Sequence, residues 1–225
     1  MANSPKIGIA LGSGAARGWA HIGILQALNE LGITPDIVAG CSIGALVGAA
    51  YAARQLDTLE EWVRGFTRMQ VVGLLDPAFS GGLFRGDKVF GIAEDKLGEL
   101  EIDNLPLPFA CVATDLESGR ECWLQKGPLM DAVRASCSIP GMFVPVKHED
   151  RWLIDGAVVN PVPVSLCRAM GADVVIAVNL NADTRVSLND KRGDDEDPKH
   201  PVLQWLAKRS GPQPDTPGMW SVMNS

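Results

Sequence analysis

Gly40-Cys41-Ser42-Ile43-Gly44 places a serine between two glycines at G-x-S-x-G spacing. That pattern suits a nucleophile on a sharp strand-to-helix turn. Its neighbours must lack bulk, and the helix behind it aims N–H groups and its positive dipole end at the site. A serine hydroxyl also needs a base for its proton and donors for the oxyanion formed when it attacks a carbonyl. Gly12-Ser13-Gly14-Ala15-Ala16-Arg17-Gly18 is a run of small residues through which backbone N–H groups can approach such an oxyanion. Gly12, Ser13, Gly14 and Ala15 are the candidate donors. Arg17 would brace the loop by bonding carbonyls, or meet an anionic head group.

Candidates for the base are few. The chain has three histidines. His21 falls early in a helix beside the Gly loop and reads as a packing residue. His148 sits among Lys147, Glu149 and Asp150 and reads as exposed. His200 closes a charged stretch. The order Ser42, then Asp115 or Asp155, then His200 matches an α/β-hydrolase triad on paper. In that fold, however, the elbow comes after several strands, not after the second. Asp155 is the other candidate. It ends the strand-like run Trp152-Leu153-Ile154, and Gly156-Ala157 leaves room for a close approach. An ordinary aspartate, with a pKa near 3.9, is a weak base at neutral pH, so burial would have to raise it. The competing reading is a turn aspartate that bonds its own backbone.

The Gly loop also begins like a dinucleotide fingerprint. Its third glycine comes one residue late, at Gly18, and the acid expected after the second strand is missing, since Asp36 precedes that strand. No Gly-Lys-Ser/Thr follows, so a Walker loop fails as well.

These motifs need elements to hold them. Lys6 to Leu11 fits a buried strand. Trp19 to Leu31 fits a helix with Ile24, Leu25, Leu28 and Leu31 on one face, stopped by Gly32. Ile37 to Cys41 fits a second strand. Strand, loop, helix and strand make a βαβ unit with parallel strands, which brings the Gly loop and Ser42 to the same carboxyl edge, where open parallel sheets bind ligands. Thr58 and Glu61 are spaced as a capping box for a helix running to about Arg68. Val71 to Arg85 is apolar and rich in Gly and Pro, and reads as an ordered loop or as a rim for a greasy substrate. Asp87 caps a helix closed by Gly98. Phe109 to Thr114 and Glu121 to Gln125 form a hairpin, and Leu129 to Ser136 a helix. Ser136 to Phe143 is a loop. Val144 to Lys147 and Trp152 to Ile154 form a second hairpin. A helix from Pro163 to Met170 and a strand from Val174 to Asn179 follow. Residues 1–180 are expected to form the catalytic domain. Residues 181–225 are expected to be a charged mobile loop and a helical segment within the same domain.

Composition bounds the function. The 225 residues are 46% hydrophobic and 21% charged, with a net charge of −7. That size holds a sizeable core, and the charge argues against a general nucleic-acid binder. Five widely spaced cysteines without C-x-x-C argue against a disulfide framework or zinc site and fit a reducing cytoplasm. No basic start followed by an apolar run predicts a signal peptide. Ile37 to Ala53 is uncharged, but its glycines and strand–turn–helix pattern argue against a membrane span.

Taken together, Gly12–Gly18, Gly40–Gly44 and Asp155-Gly156-Ala157 resemble the patatin-like phospholipase family. Thr114-Asp115-Leu116, Ser136–Phe143 and Asn160-Pro161-Val162-Pro163 also read as family text. The resemblance covers roughly residues 5–180, with the bacterial RssA-like branch, similar to the esterase domain of neuropathy target esterase, as the nearest pattern. It implies a three-layer α/β/α fold with a mostly parallel sheet. It also implies a dyad of Ser42 as nucleophile and Asp155 as base, a Gly-loop oxyanion hole, and supporting roles for Arg17, Gly18, Gly40, Gly44 and Gly156. No metal or cofactor is implied. Substrates would be phospholipids, lysophospholipids or other acyl esters, without nucleic acid. The protein would be cytoplasmic, with peripheral contact at the inner membrane face through residues near Phe79 to Phe84 and Trp205. A non-catalytic lipid- or partner-binding module on the same scaffold is the alternative. Many members carry glycines where this chain has Ser13 and Ala15, and the family usually continues past the point where this chain stops.

Overall fold

The computed structural model describes residues 4–65, 76–78 and 82–181. Strands β1 (Ile7–Leu11), β2 (Ile37–Cys41), β4 (Phe109–Asp115) and β9 (Val174–Val178) lie parallel in the order β9-β1-β2-β4. Three antiparallel strands extend the sheet: β5 (Glu121–Leu124), β7 (Val146–His148) and β8 (Arg151–Asp155). Side chains alternate between the two faces. Ile9, Leu11, Val38, Phe109 and Cys111 enter one core, while Ala10, Ile37, Ala39, Ala110 and Val112 enter the other. Strands buried on both faces read as continuous apolar runs, which is why these segments stand out in the sequence.

The first core is covered by α1 (Ala20–Glu30), α2 (Ile43–Ala52), α3 (Leu56–Arg64), α4 (Asp87–Leu97) and α5 (Leu129–Ser136). The second is covered by α6 (Val164–Ala169) through Leu166 and Cys167. This is the expected three-layer arrangement. All five cysteines are buried and free of disulfides.

One register positions the site. β5 pairs with Cys111–Thr114 of β4, overlapping the residues used by both β2 and β8, so those two strands must share the opposite edge of β4. They run in opposite directions and meet end to end: Cys41 lies opposite Val112 and Asp155 opposite Ala113. The carboxyl ends of β2 and β8 therefore converge on adjacent residues of one strand.

Several local expectations change. In α1 the buried stripe is His21, Ile22 and Leu25, and Leu31 is 75% exposed because Gly32 (φ 73) turns the chain just beyond it. The turn is a Schellman close, with Ile33 N–H on Leu28 O and Gly32 N–H on Asn29 O. α3 starts at Leu56 behind Gln55 and ends at Arg64, so Thr58 lies inside the helix and forms no capping box. Asp87 is the first residue of α4, not its cap; that place belongs to Gly86, whose φ of 82 favours glycine. Two stretches expected as loops contain β3 (Gly82–Phe84) and β6 (Gly141–Phe143), which pair in parallel. Residues 66–70, with the end near Arg68 expected for the α3 helix, and the rest of the Gly/Pro-rich segment at 71–75 and 79–81, including Phe79, lie outside the described residues, as do His200, Trp205 and everything from 182 onward.

Candidate active site

Ser42 occupies the one-residue turn between β2 and α2, with φ 55 and ψ −127. A non-glycine residue held there costs of order 1–3 kcal/mol and persists only where the surroundings impose it. The flanking glycines are steric necessities. A Cβ at Gly40 would fall 2.5 Å from Ala45 Cα, and one at Gly44 would fall 2.2 Å from Leu11 O. Gly18 and Gly156 are equally confined, by Ile43 Cγ2 at 2.1 Å and Val112 O at 2.2 Å. These four glycines let α2, the Gly loop and the end of β8 close around Ser42.

The convergence of β2 and β8 puts the Ser42 hydroxyl on Asp155, with Oγ donating to Oδ2 at 2.5 Å. The other carboxylate oxygen accepts the Ala157 N–H at 2.8 Å. Base geometry and turn geometry thus coexist in one carboxylate, one oxygen to each. Its backbone is fixed too, since Asp155 N–H donates to Ser138 O at 2.9 Å and Thr114 Oγ1 donates to Asp155 O at 2.9 Å. Asp155 is 3% exposed and Ser42 5%. Burial pushes the Asp155 carboxyl up to about 6, against the lowering effect of the Ser42 and Ala157 hydrogen bonds. A base of that strength is poised for proton transfer near neutral pH.

The Gly loop runs beside Ser42, but its four expected donors divide. Gly12 N–H donates to Val178 O at 3.0 Å and Ser13 N–H to Pro161 O at 2.8 Å, both extending the backbone network past the end of β1. They are not available to an oxyanion. Among the described residues the Gly14 and Ala15 N–H groups meet no protein acceptor, at the start of a 3-10 turn over Ala15–Trp19. Ala15 has φ 47, the left-handed conformation that glycine takes more readily. Arg17 holds the loop through a side chain: Nη2 donates to Asn181 Oδ1 at 2.8 Å. Asn181 Nδ2 in turn donates to Ser13 O at 3.1 Å and to Ser13 Oγ at 3.3 Å.

The other candidates lie elsewhere. His21 is fully buried behind the loop, where Nε2 donates to Gly12 O at 2.7 Å and Nδ1 has no partner among the described residues. Burial lowers its pKa, partly offset by the Gly12 carbonyl. Asp115 Oδ1 accepts the N–H groups of Glu117 and Ser118 and so serves the hairpin turn. His148 ends β7 and is half-buried rather than exposed. Among the described residues, no group of three or more His, Cys, Asp or Glu is placed to hold a metal ion, and no helix is long and apolar enough to cross a membrane.

Two residues of the site were given no role by the sequence, although Ser136 opens the Ser136–Phe143 stretch of family text. Ser136, at the end of α5, accepts the Ser42 N–H through Oγ at 2.9 Å and donates to Val112 O at 2.6 Å. Asn181 joins a loop 168 residues away. Both depend on tertiary neighbours, which local pattern cannot display.

Ser42 and Asp155 open on a cavity of about 340 Å³. Its lining mixes polar residues, Ser13, Arg17 and Asn181, with apolar ones, Ile139, Pro140, Ala157 and Val158. A buried hydroxyl on a raised carboxyl, two N–H groups without an acceptor among the described residues and a cavity with a partly apolar lining are the parts an acyl-transfer site requires.

Comparisons with known proteins agree with this architecture. The patatin-like phospholipase family model matches residues 9–168. An uncharacterized NTE family protein of Mycobacterium tuberculosis is 43% identical over 180 residues, covering 80% of this chain and 50% of that protein. Human patatin-like phospholipase domain-containing protein 6 is 33% identical over 195 residues, covering 81% of this chain and 14% of that protein. Neuropathy target esterase sws of Drosophila melanogaster is 34% identical over 199 residues, covering 84% and 14%. The chain thus spans about half the length of the mycobacterial relative and far less of the animal ones. Among solved structures, VipD from Legionella pneumophila superposes with a TM-score of 0.54 at 16% identity, covering 71% of this chain and 47% of that one, a likeness of fold. Sequence motifs, sheet topology and family match agree: the chain belongs to the patatin-like phospholipase family.

Proposed function

We propose that the protein is a serine acyl-ester hydrolase of phospholipase A, lysophospholipase or carboxylesterase type, with Ser42 as nucleophile and Asp155 as base. The observation that carries this reading is the 2.5 Å hydrogen bond from Ser42 Oγ to Asp155 Oδ2 at the cavity. Asp155 takes the hydroxyl proton as Oγ attacks the ester carbonyl. The oxyanion is held by the N–H groups of Gly14 and Ala15. Collapse breaks the ester bond, and the proton on Asp155 goes to the departing alkoxide. Asp155 then deprotonates a water that attacks the acyl-serine, which releases the acid and restores Ser42. Lipid esters suit the cavity's partly apolar lining, and peripheral contact with the inner membrane face suits a cytoplasmic enzyme that takes them.

Fluorophosphonate labelling tests the nucleophile. The wild-type protein is expected to be labelled on Ser42 and to cleave nitrophenyl esters, and Ser42→Ala to lose both. Lipid binding without labelling in the wild type would favour the non-catalytic module instead. The nucleotide alternative is weakened by the Gly loop, because the N–H groups of Gly12 and Ser13 already have acceptors.

Asn181→Ala removes the link between Arg17 and Ser13 while leaving every loop backbone group in place. Because Asn181 is only half-buried, stability should change by no more than about 1 kcal/mol. A hydrolase whose oxyanion loop loosens should lose about 10-fold in kcat. Steady-state kinetics beside a thermal melt would separate the two effects, and an unchanged kcat would remove Asn181 from the site.

A further inference from the structure

We infer that Ser136 is the positioning residue of the nucleophile elbow, fixing the Ser42 backbone so that its hydroxyl meets Asp155. The inference rests on the hydrolase reading above. At φ 55 and ψ −127 the Ser42 N–H has left the β2 ladder, which ends at Cys41. It has not entered α2, whose nearest bonds are Ala45 and Leu46 N–H to Ser42 O. A buried N–H in that position needs an acceptor from elsewhere in the fold. Ser136 supplies it from the last turn of α5, with no solvent exposure, at 2.9 Å.

The hydroxyl's own proton goes to Val112 O at 2.6 Å. Val112 lies opposite Cys41, and its neighbour Ala113 lies opposite Asp155. Ser136 therefore ties the elbow to the point on β4 where the two strand ends converge. Its donor is committed to Val112 and its acceptor faces the Ser42 N–H, so it exchanges no proton with the reaction. It acts through Ser42 rather than on substrate. A second consequence follows: the nucleophile's own N–H is occupied and gives nothing to the oxyanion, which leaves that work to Gly14 and Ala15.

The test compares Ser136→Ala with Ser136→Thr and Ser136→Cys, in nitrophenyl ester kinetics and in the rate of fluorophosphonate labelling. Without the hydroxyl, the elbow should drift and kcat fall by about 10- to 100-fold, with KM within about 2-fold, as expected for a misplaced reacting group. Labelling should slow in parallel, and the inflection of the pH–rate profile should stay with Asp155. Threonine keeps the hydroxyl and should recover most of the loss, while cysteine, a weaker partner, should fall between. A Ser136→Ala protein that melts earlier but labels and turns over at the wild-type rate would overturn the inference, leaving Ser136 a purely structural residue. If the alanine variant does not fold, Ser136→Cys decides, and a wild-type kcat there overturns the inference equally. A wild-type protein inert to the probe would sink the hydrolase reading first, and this inference with it.

Discussion

Asp155→Asn is expected to abolish ester hydrolysis and to stabilise the protein at neutral pH. Asparagine matches the shape of the carboxylate. Its Oδ1 can still accept the Ala157 N–H, and its amide can donate to Ser42 Oγ, so the fold should persist. It cannot take a proton, and the loss of a general base costs about 10²- to 10⁴-fold in rate. The stability effect follows from the direction of the pKa shift. Burial raises the carboxyl from 3.8 to about 6 in the folded protein. A raised pKa means that folding favours the protonated form. The stability this provides is fully present below pH about 3.8 and is lost as pH rises through about 6. The difference corresponds to roughly 3 kcal/mol. Relative to Asp155→Asn, the wild type should therefore weaken by roughly that amount between pH about 4 and pH about 7.5. Chemical denaturation of both proteins across that range measures it, and the subtraction cancels the other titrating groups. A flat difference would mean that Asp155 titrates as an ordinary carboxylate. The same titration governs rate with the opposite sign. Wild-type kcat/KM should climb about tenfold per pH unit below 6 and level off above it. In the proposed mechanism the ionised form catalyses, and it is the form that the buried site disfavours, so activity and stability would be set against each other at one residue.

How far the sequence discloses such a site depends on distance along the chain. The elbow is legible because strand, turn and helix are consecutive, and because Gly40 and Gly44 are demanded by contacts with the elbow and the strand beside it. The parallel core is legible because strands buried on both faces must be apolar throughout. Asp155 could be picked out from its own segment as a strand-end acid and a candidate base, but only the resemblance to the patatin-like family paired it with Ser42. That pairing depends on β8 sharing an edge of β4 with β2, a register without local signature. Division of the Gly loop into occupied and unoccupied donors was hidden for the same reason, since the acceptors belong to Val178 and Pro161. Errors at helix starts have a different origin. Thr58 and Glu61 have the right types and spacing for a cap, yet α3 begins two residues earlier. There, burial of Leu56 and Leu59 outweighs a capping preference of about 1 kcal/mol.

Gly44→Ala should be among the most damaging single-methyl changes in the protein, although helix propensity alone recommends it. Alanine in a helix interior is favoured over glycine by about 1 kcal/mol. At Gly23 of α1, where a Cβ would have nothing within 4 Å, that preference should operate unopposed. Gly23→Ala is expected to gain about 0.5–1 kcal/mol, or roughly 1–4 °C in Tm for a chain of this size. At Gly44 the added Cβ would sit 2.2 Å from Leu11 O and 2.7 Å from Gly12 O. Both are backbone atoms, so no rotamer change relieves the contact, and α2 must move off the end of β1. Overpacking of that kind costs about 3 kcal/mol or more, which outweighs the propensity gain and lowers Tm by roughly 6 °C or more. The displaced atoms matter as much as the energy. Leu11 and Gly12 lead into the loop that carries the Gly14 and Ala15 N–H groups, and Gly44 follows the nucleophile by two residues. Separating α2 from β1 would therefore separate Ser42 from the proposed oxyanion donors. Ester hydrolysis should fall further than the folded fraction does, by about 10²-fold for a displacement near 1 Å. Melting curves and kinetics on the paired variants would decide the matter: a Gly44→Ala protein as stable and active as Gly23→Ala would mean that α2 and the Gly loop are not packed at contact distance. If the expected loss is found, the glycine two places after Ser42 is there to keep nucleophile and oxyanion donors within reach of one carbonyl.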